Sequence, residues 1–426
     1  MKPSCVETPG NSGALPESPE ASILVARQPI FQPDLNVYGY ELLFRCGSST
    51  EGADIRAALR LIAAAFLSTG AEPAAGKRPG FIRFNHTMLA GEYAALLPKK
   101  SAVIEVLESL EQNEETVEAC CKLKSQGYTL AVQAGAEDCG GSLRPLADIV
   151  KVDFQAIAPR ERPSLVRHYG RHGAKLLAGK IGSSAEFREA REAGFALFQG
   201  LVFGRPANSA VTGMPTLKAI HLELLGELGA MRLDYVRLSQ VLRRDTSVSY
   251  KLLRFLNSPL FGWSGAIASI EHGLALIGEE DVRKWISVVT LSGFLQNQPT
   301  ELMVRSLFRA AFCETLSRAT ELWERSSEMF LMALLSLVGA MLNCPLEAVL
   351  NRISLKKDIR DVLLGKWDGA EGTIGNVYHL VLSYEDADWN RVSAITTKLR
   401  LKETSVADAY VRSIAWADQV AGQSVD

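Results

Sequence analysis

From residue 23 to about residue 206, short runs of apolar and β-branched residues alternate with amphipathic stretches, a pattern that predicts a parallel sheet with crossover helices. The runs 23–26, 37–44, 81–84, 102–107, 129–133, 149–152, 175–178 and 195–203 read as strands, and 54–68, 111–125 and 184–193 as helices between them. The last of these carries Ser183 and Glu186 at capping-box spacing, and Gly194 stops it. About eight strands in so short a stretch, with no glycine fingerprint after the first, favour a (β/α) barrel over an open doubly wound sheet. Beyond a linker at 207–215 the period changes to that of helices, with apolar residues at i, i+3, i+4 and i+7. Helices are predicted at 217–228, 233–243, 247–256, 279–295, 300–323, 328–342, 374–384 and 406–420. The fold class is therefore multidomain, an α/β barrel (23–206) followed by an all-α domain (216–426), with 1–22 a Pro-, Gly- and Ser-rich leader.

Composition narrows the function. With 46 Lys and Arg against 48 Asp and Glu, the chain has a formal charge of −2, so no global field draws it to nucleic acid or an anionic membrane. The longest apolar run, 329–342, is interrupted by Ser336 and Gly339 and is too short to span a bilayer. Seven scattered cysteines form no C-x-x-C pair, which points to reduced thiols, no zinc site and a cytoplasmic protein. None of the six histidines is followed by Asp, so the His-Asp pair of metal phosphohydrolases is absent.

Strand residues two apart share a face, and a barrel works at the C-terminal ends of its strands. Glu41 and Arg45 form one such set in Tyr-Glu-Leu-Leu-Phe-Arg, Glu105 stands in Glu-Val-Leu-Glu, Lys151 and Asp153 in Lys-Val-Asp, and Gln199 precedes Gly200. The acids are suited to a divalent cation or to an ion-pair cluster with Arg83, Arg45 and Lys151, and Arg45 is suited to a phosphate. In the helical half, Leu260, Phe261 and Trp263 lie on a Pro/Gly-rich stretch, where they either plug the core or anchor a partner.

These residues carry a resemblance. The segments Ala26-Arg-Gln-Pro-Ile-Phe, Tyr38-Gly-Tyr-Glu-Leu-Leu-Phe-Arg, Ala147-Asp-Ile-Val-Lys-Val-Asp-Phe and Phe198-Gln-Gly, in that order, resemble the EAL domain, the barrel family that hydrolyses cyclic di-GMP. The segments Arg244-Asp-Thr-Ser-Val-Ser-Tyr-Lys-Leu-Leu-Arg-Phe-Leu-Asn-Ser, Ile270-Glu-His-Gly-Leu-Ala-Leu-Ile-Gly and Ser383-Tyr-Glu-Asp-Ala-Asp-Trp resemble the HDOD domain, a helical interaction module. The resemblance implies that Glu41 and Glu105 stand at metal-ligand positions, Arg45 at a ligand-contacting arginine, Lys151 and Asp153 at the K-x-D motif, and Gln199 at the closing glutamine.

The chain also departs from the EAL pattern. Gln133 and Ala134 replace two aspartates, Gly179 and Gly182 replace two glutamates, and Arg83 stands at the asparagine ligand, with Asn85 as its substitute on the same face. A permanent cation at Arg83 repels metal. The expectation is a degenerate barrel without metal, cofactor or catalysis, in a scaffold of cyclic di-GMP signalling that acts through a protein partner the sequence does not identify. Cyclic di-GMP binding through Arg45 and Gln199, residual hydrolysis and self-association stay open.

Overall fold

A computed structural model describes residues 23–46, 52–67, 78–107, 114–134, 143–171, 173–200, 219–228, 232–245, 249, 252, 270–294, 299–351, 353, 355–366 and 372–425. The leader, the linker, most of the helix predicted at 247–256, and Leu260, Phe261 and Trp263 lie outside the described residues.

Eight strands close a barrel in sequence order: β1 (Leu24–Phe31), β2 (Val37–Arg45), β3 (Gly80–Phe84), β4 (Ala102–Leu107), β5 (Thr129–Ala134), β6 (Ile149–Asp153), β7 (Lys175–Gly179) and β8 (Leu197–Phe198). From β2 to β8 neighbours are parallel, but β1 runs antiparallel to both β2 and β8, which corrects the all-parallel expectation. The cause is the connection. Gln32 to Asn36 make a tight turn in which Gln32 N donates to Asn36 O at 2.8 Å and Leu35 takes a φ of 66°, and so short a link joins only antiparallel strands. Helix Ser184–Ala193 takes the form the sequence predicts, with Ser183 Oγ accepting from Glu186 N at 3.1 Å and Gly194 at φ 97°.

The barrel interior is layered by the pleat. Phe81, Val103, Ala131, Ile149, Leu177 and Leu197 fill one buried apolar layer. Two residues further along the same strands stand Arg83, Glu105, Gln133, Lys151, Gly179 and Gln199, so the next layer towards the C-terminal mouth is polar.

The helical half is built on helix Thr300–Arg318, which is buried along most of its length and packs against helices Ser326–Leu335 and Glu403–Val425. The helix predicted at 300–323 ends at Arg318, where Thr320 Oγ1 donates to Ser317 O, and that predicted at 328–342 is split after Leu335, where Ser336 Oγ donates to Ala333 O at 2.6 Å. Helices Ile270–Ile277, Lys357–Leu363 and Trp389–Lys398 were not predicted.

The hairpin β1–β2 joins the two halves. Because β1 is antiparallel, its first residues lie at the mouth, and Leu24 and Ala26 continue past the barrel into the helical core. Arg27 grips Asp418 with both Nη atoms at 2.6 Å, its backbone N donates to the Tyr410 hydroxyl at 2.8 Å, and the Tyr40 hydroxyl donates to Glu301 at 2.9 Å. Over the mouth, Arg309 holds Glu385 at 2.6 to 3.0 Å in a buried pair, which Arg305 joins at 3.1 Å. Arg309→Met leaves Glu385 short of its main partner and should destabilise the chain by about 3 to 5 kcal/mol, read as a shift in the urea midpoint; a change within about 0.5 kcal/mol, typical of a surface site, would contradict the pairing.

Candidate functional site

Two carboxylates reach into the polar layer, Glu41 from β2 and Glu105 from β4, and both are buried. Lys151 Nζ lies 2.8 Å from Glu41 Oε2 and 3.5 Å from Glu105 Oε1. Arg83 Nη2 lies 3.1 Å from Glu41 Oε1 and 3.3 Å from Glu105 Oε1, and Gln199 Nε2 donates to Glu41 Oε2 at 2.7 Å. Two anions thus face two cations.

The two acids are not equivalent. Burial pushes both carboxyls up, but Lys151 and the Gln199 amide, both nearer Glu41, hold it below the ordinary carboxylate range, with Arg83 adding to the effect. At Glu105 burial prevails over Lys151, the Glu41 charge adds to it, and the carboxyl stays above that range. Among the described residues Glu105 Oε2 and Gln133 Oε1 are buried without a hydrogen-bond partner.

Other predicted site residues go elsewhere. Asp153 bonds Lys180 Nζ at 2.7 Å and the Gln155 backbone N at 3.1 Å, apart from the glutamates. Arg45, expected to hold a ligand, is committed to the helical half, with Nη2 2.9 Å from both Glu403 oxygens and 3.0 Å from Ser393 Oγ, and Nη1 3.3 Å from Trp389 O. Four residues past Glu41, β2 has carried it beyond the barrel rim. Asn85 is not a substitute ligand on Arg83's face either. It caps helix His86–Ala90, its Oδ1 accepting from Met88 N at 2.9 Å.

Above this layer lies a cleft of about 650 Å³, walled by Glu41, Arg83, Gln133, Lys151, Asp153, Lys180 and Gln199 from the barrel and by Glu301, Arg305, Phe308, Glu385, Asp386 and Tyr410 from the helices. The sequence reading did not single out Lys180, Arg305, Glu385 or Asp386. A signal was present, since Glu385 and Asp386 close helix Thr373–Glu385 at its C-terminal end, where the helix dipole disfavours anions.

The EAL resemblance implies a two-metal centre, and the donors do not fit one. Glu41 and Glu105 are already matched by Lys151 and Arg83, and the described residues contain no group of three His, Cys, Asp or Glu able to hold a cation. At Gly179 a Cβ would lie 3.2 Å from Val152 O with the Lys151 stem at 3.8 Å, so the lysine occupies the space beside the lost carboxylate.

Only 11% of the Lys151 side chain is exposed, against 42% of Arg83, which makes the lysine the principal counter-charge. Lys151→Met should cost about 3 to 5 kcal/mol and Arg83→Ala about 1 kcal/mol or less; the reverse order in urea denaturation would refute this ranking. Glu41 ionises at lower pH folded than unfolded. Its contribution, measured as the stability gap between wild type and Glu41→Gln, should be complete above the unfolded carboxylate value, about 4.3, and be lost as the pH falls through the folded one.

The HDOD domain family matches residues 214–359. Cyclic di-GMP phosphodiesterase CdgJ of Vibrio cholerae is 30% identical over 403 residues, 93% of this chain and 92% of the relative, and Bacillus subtilis YuxH is 30% identical over 407 residues, 92% of this chain and 98% of the relative. Klebsiella pneumoniae BlrP1, solved with calcium and cyclic di-GMP, is 24% identical with a TM-score of 0.37 over 46% of this chain, which spans 58% of that structure. The expectation that this chain is no enzyme is corrected by a relative of such extent named a phosphodiesterase. No described helix is long and apolar enough to cross a membrane. With full-length relatives at this identity and an HDOD match behind a closed eight-stranded barrel, the chain belongs to the family of bacterial signalling proteins that join an EAL-type barrel to a C-terminal HDOD domain.

Proposed function

We propose that this chain works in cyclic di-GMP signalling by taking the dinucleotide into the cleft between barrel and helices. The observation that carries the reading is the cleft itself, about 650 Å³ with Lys151, Arg83 and Lys180 along its barrel wall. That volume falls within the roughly 300 to 1,000 Å³ of small-molecule sites. A cyclic dinucleotide brings two phosphodiester anions, which call for cations placed in advance, and four polar sugar–base edges, which amides such as Gln133 and Gln199 can meet.

Hydrolysis is the second reading, favoured by the name of the Vibrio cholerae relative. In phosphodiester cleavage negative charge grows on the non-bridging oxygens, and Lys151 and Arg83 are the chain's own groups to meet it. Glu41, held ionised by Lys151 and Gln199, fixes the lysine in place.

Calorimetric titration of the full chain with cyclic di-GMP should show saturable binding, and Arg83→Ala should weaken it about tenfold, the loss of one charge-assisted contact. Absence of binding would overturn the reading. Incubation with Mg²⁺ or Mn²⁺ followed by chromatography tests hydrolysis: a linear dinucleotide product that Lys151→Met no longer forms supports turnover at this site, and an unchanged substrate counts against it.

A further inference from the structure

Guanine differs from adenine in presenting two adjacent donors, N1–H and the N2 amino group, which one carboxylate meets with its two oxygens. Five carboxylates line the cleft, and four are engaged. Glu41 receives Lys151, Arg83 and Gln199; Asp153 receives Lys180; Glu301 receives the Tyr40 hydroxyl; Glu385 receives Arg309 and Arg305. The fifth, Asp386, is exposed, and among the described residues no donor is bonded to its side chain.

We propose that Asp386, a residue of the helical half, is the specificity-determining contact of the cleft, reading the N1–H and N2–H edge of a guanine, with Arg305 beside it binding phosphate. The inference rests on the cyclic di-GMP reading and deepens it. Asp386 stands directly after helix Thr373–Glu385, at the end where an anion is disfavoured, and partial desolvation at the cleft wall followed by the Glu385 charge raises its carboxyl, against the pull of Arg305 and Arg309. An incoming pair of N–H donors relieves that strain in charge. Arg305 is placed for the second role, because Arg309 already holds Glu385 through three contacts and Arg305 gives that carboxylate one of its five donors. The site is then incomplete in the barrel alone, and the base is read by the helical domain.

The test is calorimetry on the full chain with cyclic di-GMP and cyclic di-AMP. Adenine offers a ring acceptor at N1 where guanine offers a donor, so a carboxylate there repels it. The wild type should prefer cyclic di-GMP, Asp386→Asn should lose about tenfold or more for cyclic di-GMP while cyclic di-AMP holds or gains as the repulsion is removed, and Arg305→Gln should weaken both ligands. The preference is a ratio of two affinities, so a partly unfolded variant does not mimic its loss. Wild-type binding whose preference survives Asp386→Asn overturns this inference and leaves the proposed function standing. Absence of wild-type binding overturns both.

Discussion

Two carboxylates buried one pleat above an apolar barrel layer must be neutralised, and the design of this mouth follows from how that is done. Desolvating an unmatched carboxylate costs several kcal/mol, so each buried acid keeps a cation beside it or keeps its proton. Here Lys151, itself mostly buried, sits nearer Glu41 than Glu105, and Arg83 closes the set from the wetter side. Glu41 is held below the ordinary carboxylate range and Glu105 above it. The mouth is balanced by protein charges in a fold whose EAL pattern calls for metal ions at the same level.

The same strand order that closes the barrel decides what covers it. An antiparallel β1 delivers the open end of the β1–β2 hairpin to the mouth, so that Leu24 and Ala26 at one end and Arg45 at the other project past the rim. Projecting apolar residues need a cover and projecting charges need partners. The helical half supplies both, through its core and through Asp418 and Glu403. The short turn at Gln32 to Asn36 thus sets the direction of β1, and the contacts of its first residues and of Arg45 tie the helical half to the mouth.

Much of this was legible in the sequence, and what was not follows a rule. The period-2 runs gave the strands, and the inward placement of Arg83 beside Glu41 and Glu105 follows from Phe81-Ile-Arg-Phe. The antiparallel β1 was missed because periodicity reports which face is buried and says nothing of direction. Asn85 was misread because a strand period was continued into a residue that caps a helix. Arg45 was misread because its partners lie about 350 residues away, at Trp389, Ser393 and Glu403, and no local pattern encodes a contact of that separation. The helical wall of the cleft escaped for the same reason. The resemblance drew attention to Ser383-Tyr-Glu-Asp as a mark of the domain, while its place over a barrel emerges only from the packing.

That wall also explains why the two halves act as one object. Glu385 is pinned by Arg309, which projects from the buried helix Thr300–Arg318, and the ring of Tyr384 stacks on Tyr410 at 4.5 Å in the same core. Tyr410 in turn accepts the Arg27 backbone N–H of β1. The end of helix Thr373–Glu385 is thus fixed by contacts reaching from the helical core to the barrel's first strand. A side chain presented on such a support has little freedom left to lose when it binds, which is the condition for a short polar contact to discriminate between ligands.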